Sequence, residues 1–119
     1  MPLTINTRQS GTVTILECAG RIVTGESCQL FRETVINNIN KGNKKQVLNL
    51  GETNHIDSSG LYELVSAYTT IRNKGGDIKL CCLTRKTKDL LQMTRLSSVF
   101  DDFDTETKAV ASLEQQVGK

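Results

Sequence analysis

The segment Asp57-Ser58-Ser59-Gly60 places an acid, two hydroxyls and a glycine in four consecutive positions. An apolar pattern typical of a helix follows Asp57, so we expect this side chain to cap the helix, which is worth about 1 kcal/mol. Ser58 and Ser59 then occupy the first two helical positions, and at least one hydroxyl should face solvent. Gly60 is expected to leave the surface beside them uncrowded. Such a hydroxyl is a candidate phosphorylation site.

A phosphoryl group at this place would add about −1.5 to −2 charges at neutral pH. The free N–H groups and positive end of a helix favour an anion there by about 0.3–1 kcal/mol. The Asp57 carboxylate opposes it by about 1–4 kcal/mol at 4 Å, depending on the dielectric. We therefore expect the fold to survive modification and an interface over that surface to be lost. The alternative is that both serines are only helix-start residues.

The sequence lacks the patterns of common enzymes. His55 is the single histidine, and we predict that it is a loop residue that helps to shape the site. Ser58 does not lie in a G-x-S-x-G turn, and the neighbouring Asp57 cannot replace a positioned base. A phosphate-binding G-x-x-x-x-G-K-[ST] loop is also missing. We predict a binding protein without catalytic residues or cofactors.

The four cysteines show no metal-binding spacing. No C-x-x-C pair occurs, and no histidine lies nearby in sequence at the spacing of zinc ligands from Cys18, Cys28, Cys81 or Cys82. Free cysteine packs like a small hydrophobic residue, so we predict core positions and no metal site. A redox role for the thiols is the alternative.

Two strands joined by a turn are predicted to open the chain. Residues 3–7 and 12–19 have β-type patterns, Ser10-Gly11 supplies the turn, and Gly20 is expected to end the second strand. A helix is then predicted after Thr24-Gly25, as far as about Asn40. Its apolar stripe has spacings of three and four and consists of Cys28, Phe31, Val35 and Ile39.

Gly42 is predicted to stop this helix, and residues 46–50 to form a strand covered on both faces. The second helix begins at Asp57, with Ile56 and Leu61 matching a hydrophobic staple. Its buried stripe is predicted to contain Leu61, Leu64, Val65, Tyr68 and Ile71. Gly75-Gly76 closes it.

Shorter elements complete the chain. A strand is predicted over residues 77–83, with Ile78, Leu80 and Cys82 on one face. A helix capped by Thr84 and an edge strand over residues 99–103 follow. The last helix is capped by Thr105 or Asp104, and its inward residues are Ala109, Val110, Leu113 and Val117. The order predicts an α/β fold: one domain with a mixed β-sheet, an N-terminal hairpin, β-α alternation and helices packed on the sheet. Residues 53–60 form a loop at the carboxyl end of a strand, where partners of such sheets tend to bind.

Composition narrows the partners. Charged residues make up 24% of the chain and the formal net charge is only +2, so we do not expect direct nucleic-acid binding. The sequence has neither a basic, apolar leader nor a run of about 20 apolar residues, so we expect no membrane association and a cytoplasmic location.

The sequence resembles the STAS domain, and more narrowly the bacterial anti-sigma-factor antagonists. Three segments carry the resemblance: Val47-Leu48-Asn49-Leu50, then Ile56-Asp57-Ser58-Ser59-Gly60-Leu61, then Gly75-Gly76 with the strand from Ile78 to Leu83. The match in element order covers nearly the whole chain, which implies one STAS domain over residues 1–119.

This resemblance implies a partner-switching mechanism. In that family the unphosphorylated protein binds an anti-sigma factor that is also a serine protein kinase, and a sigma factor is released. The kinase uses ATP to phosphorylate the serine directly after the Asp, here Ser58, and the complex dissociates. A serine phosphatase resets the switch. Ser59 is the second choice of acceptor, and Asp57, Ser58, Ser59 and Gly60 are the implied partner-binding residues on this side.

The resemblance also implies partner contacts in the turn after the second strand, through Arg21, Val23 and Thr24. The family often has an acidic residue in this turn, and Val23 stands where we expect that acid. The partner surface therefore differs, or the chain has another partner. The alternative function is a STAS regulatory subunit of another complex, such as an ATP-driven lipid transporter.

Overall fold

The computed structural model describes residues 2–115. Its strands are β1 Thr4–Ser10, β2 Val13–Ile22, β3 Lys45–Ile56, β4 Asp77–Cys81 and β5 Asp102–Phe103. Its α-helices are α1 Glu26–Asn40, α2 Ser58–Asn73, α3 Arg85–Met93 and α4 Glu106–Glu114, and Leu96–Ser98 forms a short 3-10 helix.

The five strands form one mixed sheet in the order β1-β2-β3-β4-β5. β1 and β2 are antiparallel, whereas each following pair is parallel. Parallel neighbours need a crossover connection, and α1, α2 and α3 lie on these connections. The predicted α/β class, the N-terminal hairpin and the β-α alternation are confirmed.

Helices cover both faces of the sheet. On one face, α1, α2 and α3 bury the larger core, which contains Phe31, Val35, Leu64, Ile71 and Leu91 against Leu16, Leu48 and Leu80. On the other face, α4 packs Ala109, Val110 and Leu113 on Val13, Ile15 and Val47. The carboxyl ends of β2 and β3 and the first turns of α1 and α2 come together at one edge of the larger layer.

Most predicted helix ends are confirmed by backbone geometry. Gly42 and Gly75 have φ angles of 90° and 84°, which favour glycine after a helix. Thr84 and Thr105 cap α3 and α4 by accepting hydrogen bonds from backbone N–H groups three residues later. The inward position predicted for Val117 lies outside the described residues.

The prediction that Gly20 ends the second strand is wrong, as is the loop predicted over residues 53–60. β2 runs to Ile22, and β3 continues through Thr53 to Ile56 beside it. The polar run after Leu50 is strand because its backbone pairs with β2 and the hydroxyl of Thr53 donates to the Cys18 carbonyl at 2.7 Å. Gly20 has a φ of 117° and lies against the backbone of Pro2, so it forms an irregularity inside the strand.

The face predicted for Cys82 is also wrong. β4 ends at Cys81 because Cys82 adopts a left-handed conformation with a φ of 62°. The strand alternation is broken there, so Cys82 packs with the α4 layer, and Leu83 packs with the larger core. The edge strand predicted over 99–103 is only Asp102–Phe103, since Val99 ends the 3-10 helix.

Candidate functional site

Asp57 joins two segments of the chain at the end of β3. Its Oδ1 accepts a hydrogen bond from the backbone N–H of Gly60 at 2.9 Å and so caps α2. Its Oδ2 accepts one from the backbone N–H of Thr24 at 3.0 Å, in the turn between β2 and α1. These two bonds favour the ionised carboxylate and lower the pKa of Asp57, the Thr24 bond most strongly. The cap therefore also fixes the distance between the starts of α1 and α2.

The two serines differ in their surroundings. Ser58 is the first residue of α2, and its side chain is exposed. Ser59 is half-buried, and its hydroxyl donates to the hydroxyl of Thr24 at 3.3 Å. Ser58 therefore presents the more accessible hydroxyl of the pair.

The role expected for Gly60 is wrong. This glycine is buried, and a Cβ at its position would overlap the carbonyl oxygen of Ile22 and crowd the side chain of Ile56. It lets the first turn of α2 approach the end of β2 closely, which brings the serines beside the β2–α1 turn.

A groove of about 340 Å³ opens between the first turns of α1 and α2, and we call it the α1–α2 groove. From the α1 side it is lined by Thr24, Gly25, Cys28 and Arg32. From the α2 side it is lined by Ser58, Ser59, Tyr62 and Glu63. The positive ends of two helices thus meet at this opening.

An ion pair crosses the groove from one helix to the other. Arg32 of α1 donates from Nε to Oε1 of Glu63 at 3.2 Å and from Nη2 to Oε2 at 2.6 Å. The Glu63 side chain is only 6% exposed, whereas that of Arg32 is 50% exposed. The pKa of Arg32 is raised by this contact. The ion pair therefore fixes the buried carboxylate and leaves one side of the guanidinium open to solvent.

The structure brings together five of the seven residues predicted to bind a partner: Thr24, Asp57, Ser58, Ser59 and Gly60. The other two lie beside the groove and not in its lining. Arg21 is exposed opposite His55 in the β2–β3 register. Val23 is half-buried, and its N–H donates to Ser27 Oγ at 2.8 Å.

Sequence reasoning missed Arg32, Glu63 and Tyr62. Tyr62 lies one turn after Ser58 on α2, and its side chain is 69% exposed. The spacing of four was a usable signal, because it places both residues on one side of the helix. The Arg32–Glu63 pair gave no local signal, since 31 residues separate its members.

His55 is not a loop residue as predicted but the second-last residue of β3. Its Nδ1 lies 3.4 Å from Nζ of Lys86, which also donates to the carbonyl of Asn54 at 3.2 Å. His55 therefore contacts α3 through Lys86 and β2 through the pairing with Arg21, and it is not among the residues that line the α1–α2 groove.

The four cysteines are free thiols, and Cys18, Cys28 and Cys81 are buried in the two cores. Burial raises the pKa of Cys18 to about 12. Within residues 2–115, no group of three or more histidine, cysteine, aspartate or glutamate side chains is arranged to hold a metal ion. The described helices include none with the length and apolar character needed to cross a bilayer.

Comparison with known proteins identifies relatives of the whole fold. A family model described as the STAS domain matches residues 4–109. An anti-sigma F factor antagonist from Paenibacillus polymyxa is 34% identical over 68 residues. That match covers 57% of this chain and 58% of the relative, which is less than two thirds of the relative's length.

Solved structures show the same architecture. A Thermotoga maritima protein provisionally described as an anti-sigma factor antagonist is 26% identical with a TM-score of 0.85, covering 92% of this chain and 94% of that one. The Bacillus protein SpoIIAA, an anti-sigma factor antagonist, matches in its unphosphorylated form with 11% identity and a TM-score of 0.72, over 96% of this chain and 100% of that one. Its phosphorylated form matches with 15% identity and a TM-score of 0.71, over 92% and 98%. The likeness to SpoIIAA concerns the fold.

Proposed function

The chain belongs to the STAS domain family, and from this premise we propose that it is a cytoplasmic anti-sigma-factor antagonist controlled by phosphorylation of Ser58. In this proposal the unmodified protein binds an anti-sigma factor that is also a serine protein kinase, and the sigma factor is released. Phosphorylation of Ser58 ends the complex, and a serine phosphatase restores the binding form. Residues 1–119 act as one domain.

The observation that carries this proposal is the exposed Ser58 hydroxyl beside a fixed acidic cap. Asp57 is held by two backbone N–H groups, so the helix start is rigid before any modification. Ser59 is the poorer acceptor because the residue is half-buried and its hydroxyl is bonded to Thr24. A kinase at the α1–α2 groove therefore finds the Ser58 hydroxyl more accessible than the Ser59 hydroxyl.

The charge balance at the helix start explains how a phosphoryl group would act as a switch. The helix end favours an anion by about 0.3–1 kcal/mol. The Asp57 carboxylate repels it by about 1 kcal/mol in water and about 4 kcal/mol at an effective dielectric of 20, for charges 4 Å apart. In the free protein water screens this repulsion and the fold survives. Under a docked partner the repulsion rises and the new charge loses its hydration, so binding weakens.

The surface around Ser58 suits a protein partner. Tyr62 is 69% exposed in a chain that is only 4% aromatic, and exposed tyrosines are enriched at protein interfaces. Thr24 and Gly25 are exposed on the facing side of the groove. The proposed docking surface is therefore the rim of the α1–α2 groove together with Ser58 and Tyr62.

A binding role is favoured over catalysis by Ser58 itself. A nucleophilic serine needs a base within hydrogen-bond reach and a group that orients the base. Among the described residues, the one histidine contacts Lys86 and lies outside the groove lining. Both carboxylate oxygens of Asp57 accept hydrogen bonds from backbone N–H groups, and these bonds lower the pKa of Asp57 and make it a weaker base.

The direct test is phosphorylation by an anti-sigma factor kinase from the same organism. Wild type, Ser58→Ala and Ser59→Ala are incubated with the kinase and ATP, and intact mass and peptide mapping are recorded. We expect one phosphoryl group on wild type and on Ser59→Ala, and none on Ser58→Ala. Modification mapped outside the two serines, or no modification by any such kinase of that organism, would contradict the proposal.

A further inference from the structure

We propose that Arg32 is the phosphate-binding residue of this switch, and that its guanidinium takes the phosphoryl group of modified Ser58 while it keeps its ion pair with Glu63. This inference rests on the proposed function, because it concerns the phosphorylated form. It assigns to α1 a part in the response to a modification on α2. In the modified form the phosphoryl group would then occupy the α1–α2 groove through its contact with Arg32, in addition to repelling the partner.

The position of Arg32 is fixed by Glu63. The two hydrogen bonds use Nε and Nη2 of the guanidinium in a side-on arrangement. Bidentate pairing of this kind orients the planar group as well as holding it. Because Glu63 is nearly buried and belongs to α2, the guanidinium is anchored in the lining of the groove that Ser58 also lines.

The same arrangement leaves donors available. A guanidinium carries five N–H groups, and the contact with Glu63 uses one on Nε and one on Nη2. The two on Nη1 and the second on Nη2 donate no hydrogen bond within the described part of the chain, and the side chain is 50% exposed. These donors suit phosphate oxygens, for which arginine is well matched.

The charges around the α1–α2 groove favour a contact between Arg32 and a phosphoryl group on Ser58. Asp57 and Glu63 are the carboxylates at the groove, and Arg32 is the cation among its lining residues. Burial raises the pKa of the Cys28 thiol in the same lining, the two carboxylates raise it further, and Arg32 opposes them. His55 acts on Asp57 from the β3 side. A phosphoryl group added here meets two acids, so contact with Arg32 adds to the stabilisation that the helix end provides for its dianion.

The groove has room for the contact. Its volume of about 340 Å³ leaves room for the three terminal oxygens of a phosphoryl group. A phosphoryl group drawn toward Arg32 would fill the space between Thr24 and Tyr62. A partner side chain seated there in the unmodified complex would be excluded.

The test uses protein with phosphoserine inserted at position 58 during translation, so no kinase is needed. The second pKa of the phosphate is measured by ³¹P NMR in otherwise wild-type protein and in the double variant Arg32→Gln with Glu63→Gln. The double variant keeps the net charge and offers one amide to the other in place of the buried ion pair. The control is Arg85→Gln, a 90% exposed arginine on α3.

We expect this phosphate pKa to be higher in the double variant by about 0.5–1 unit, because direct contact with the Arg32 cation lowers it in wild type by more than the Glu63 carboxylate, held on the far side of the guanidinium, raises it. The Arg85→Gln control should match wild type. Equal midpoints in wild type and a folded double variant would overturn the inference.

A second measurement does not depend on the folding of the variant. The side-chain Nε–H signal of Arg32 in phosphorylated wild type should shift with the phosphate titration, and a signal that ignores the titration would also overturn the inference. If no kinase modifies Ser58 but the phosphate pKa responds to Arg32, the proposed function fails, and only the contact between Arg32 and a phosphate at position 58 remains. If a kinase modifies Ser58 but the phosphate pKa does not respond to Arg32, the proposed function stands and the role of Arg32 is removed.

Discussion

Asp57→Ala should destabilise the domain more than an ordinary loss of a helix cap. The substitution removes the cap on Gly60, which costs about 1 kcal/mol. It also removes the bond from Thr24, and hydrogen bonds to charged groups contribute about 1.5–3 kcal/mol when well protected. Solvent access at this site reduces the second contribution, so we expect a total loss of about 2 kcal/mol in the free energy of unfolding. For a domain of this size that corresponds to a fall in Tm of about 6–10 °C.

The measurement is urea and thermal unfolding of three variants beside wild type. Asp57→Asn keeps a side-chain oxygen that caps α2 nearly as well, so it should lose less than half as much as Asp57→Ala. Asp89→Ala is the matched control, since that carboxylate forms an exposed ion pair with Arg85 at 3.5 Å and such pairs contribute little. If Asp57→Ala lies within about 0.3 kcal/mol of Asp89→Ala, Asp57 does not connect the two helix starts as argued.

The difference in unfolding free energy between wild type and Asp57→Ala should depend on pH in a defined direction. The folded-state pKa of Asp57 lies below its ordinary value of 3.8, so the stabilisation is fully present above that value. As the pH falls through the lower folded-state pKa, wild type loses the contribution and Asp57→Ala does not. The two unfolding free energies should therefore converge well below pH 3.8, and a gap that stays constant there would contradict this assignment.

Three further outcomes are expected. Gly60→Ala should lower the unfolding free energy by about 1–3 kcal/mol in denaturant titrations, because its methyl group meets the backbone of Ile22. Tyr62→Ala should weaken binding to the anti-sigma factor kinase by tenfold or more in calorimetry, about 1.4 kcal/mol, with an unchanged Tm, because the exposed ring contributes to the interface and little to the fold. Ser58→Asp should keep the amide NMR spectrum of wild type apart from residues near α2, and should bind the same kinase at least tenfold more weakly.

Local rules predicted the helix starts and ends well. The caps at Asp57 and Thr84 depend on one side chain and the backbone three residues later, so a short segment contains all the information. The same holds for Gly42 and Gly75, whose positive φ angles follow the last helical turn. The accessible serine was predicted for the same reason.

The errors arose where distant parts of the chain decide the outcome. Thr53 to Ile56 look like a loop, but pairing with β2 makes them strand. Gly60 looks like an open surface position, but its neighbour is Ile22, 38 residues earlier in the chain. The Arg32–Glu63 pair joins two helices whose packing no local pattern specifies.

The central claim is that a negative charge at Ser58 controls docking without unfolding the domain. The most direct measurement compares the affinity of the anti-sigma factor kinase for unmodified protein and for protein carrying phosphoserine at position 58, with far-UV circular dichroism of both forms. We expect the phosphorylated form to bind at least about a hundredfold more weakly, about 2.7 kcal/mol, with an unchanged spectrum. Equal affinity for the two forms would contradict the account.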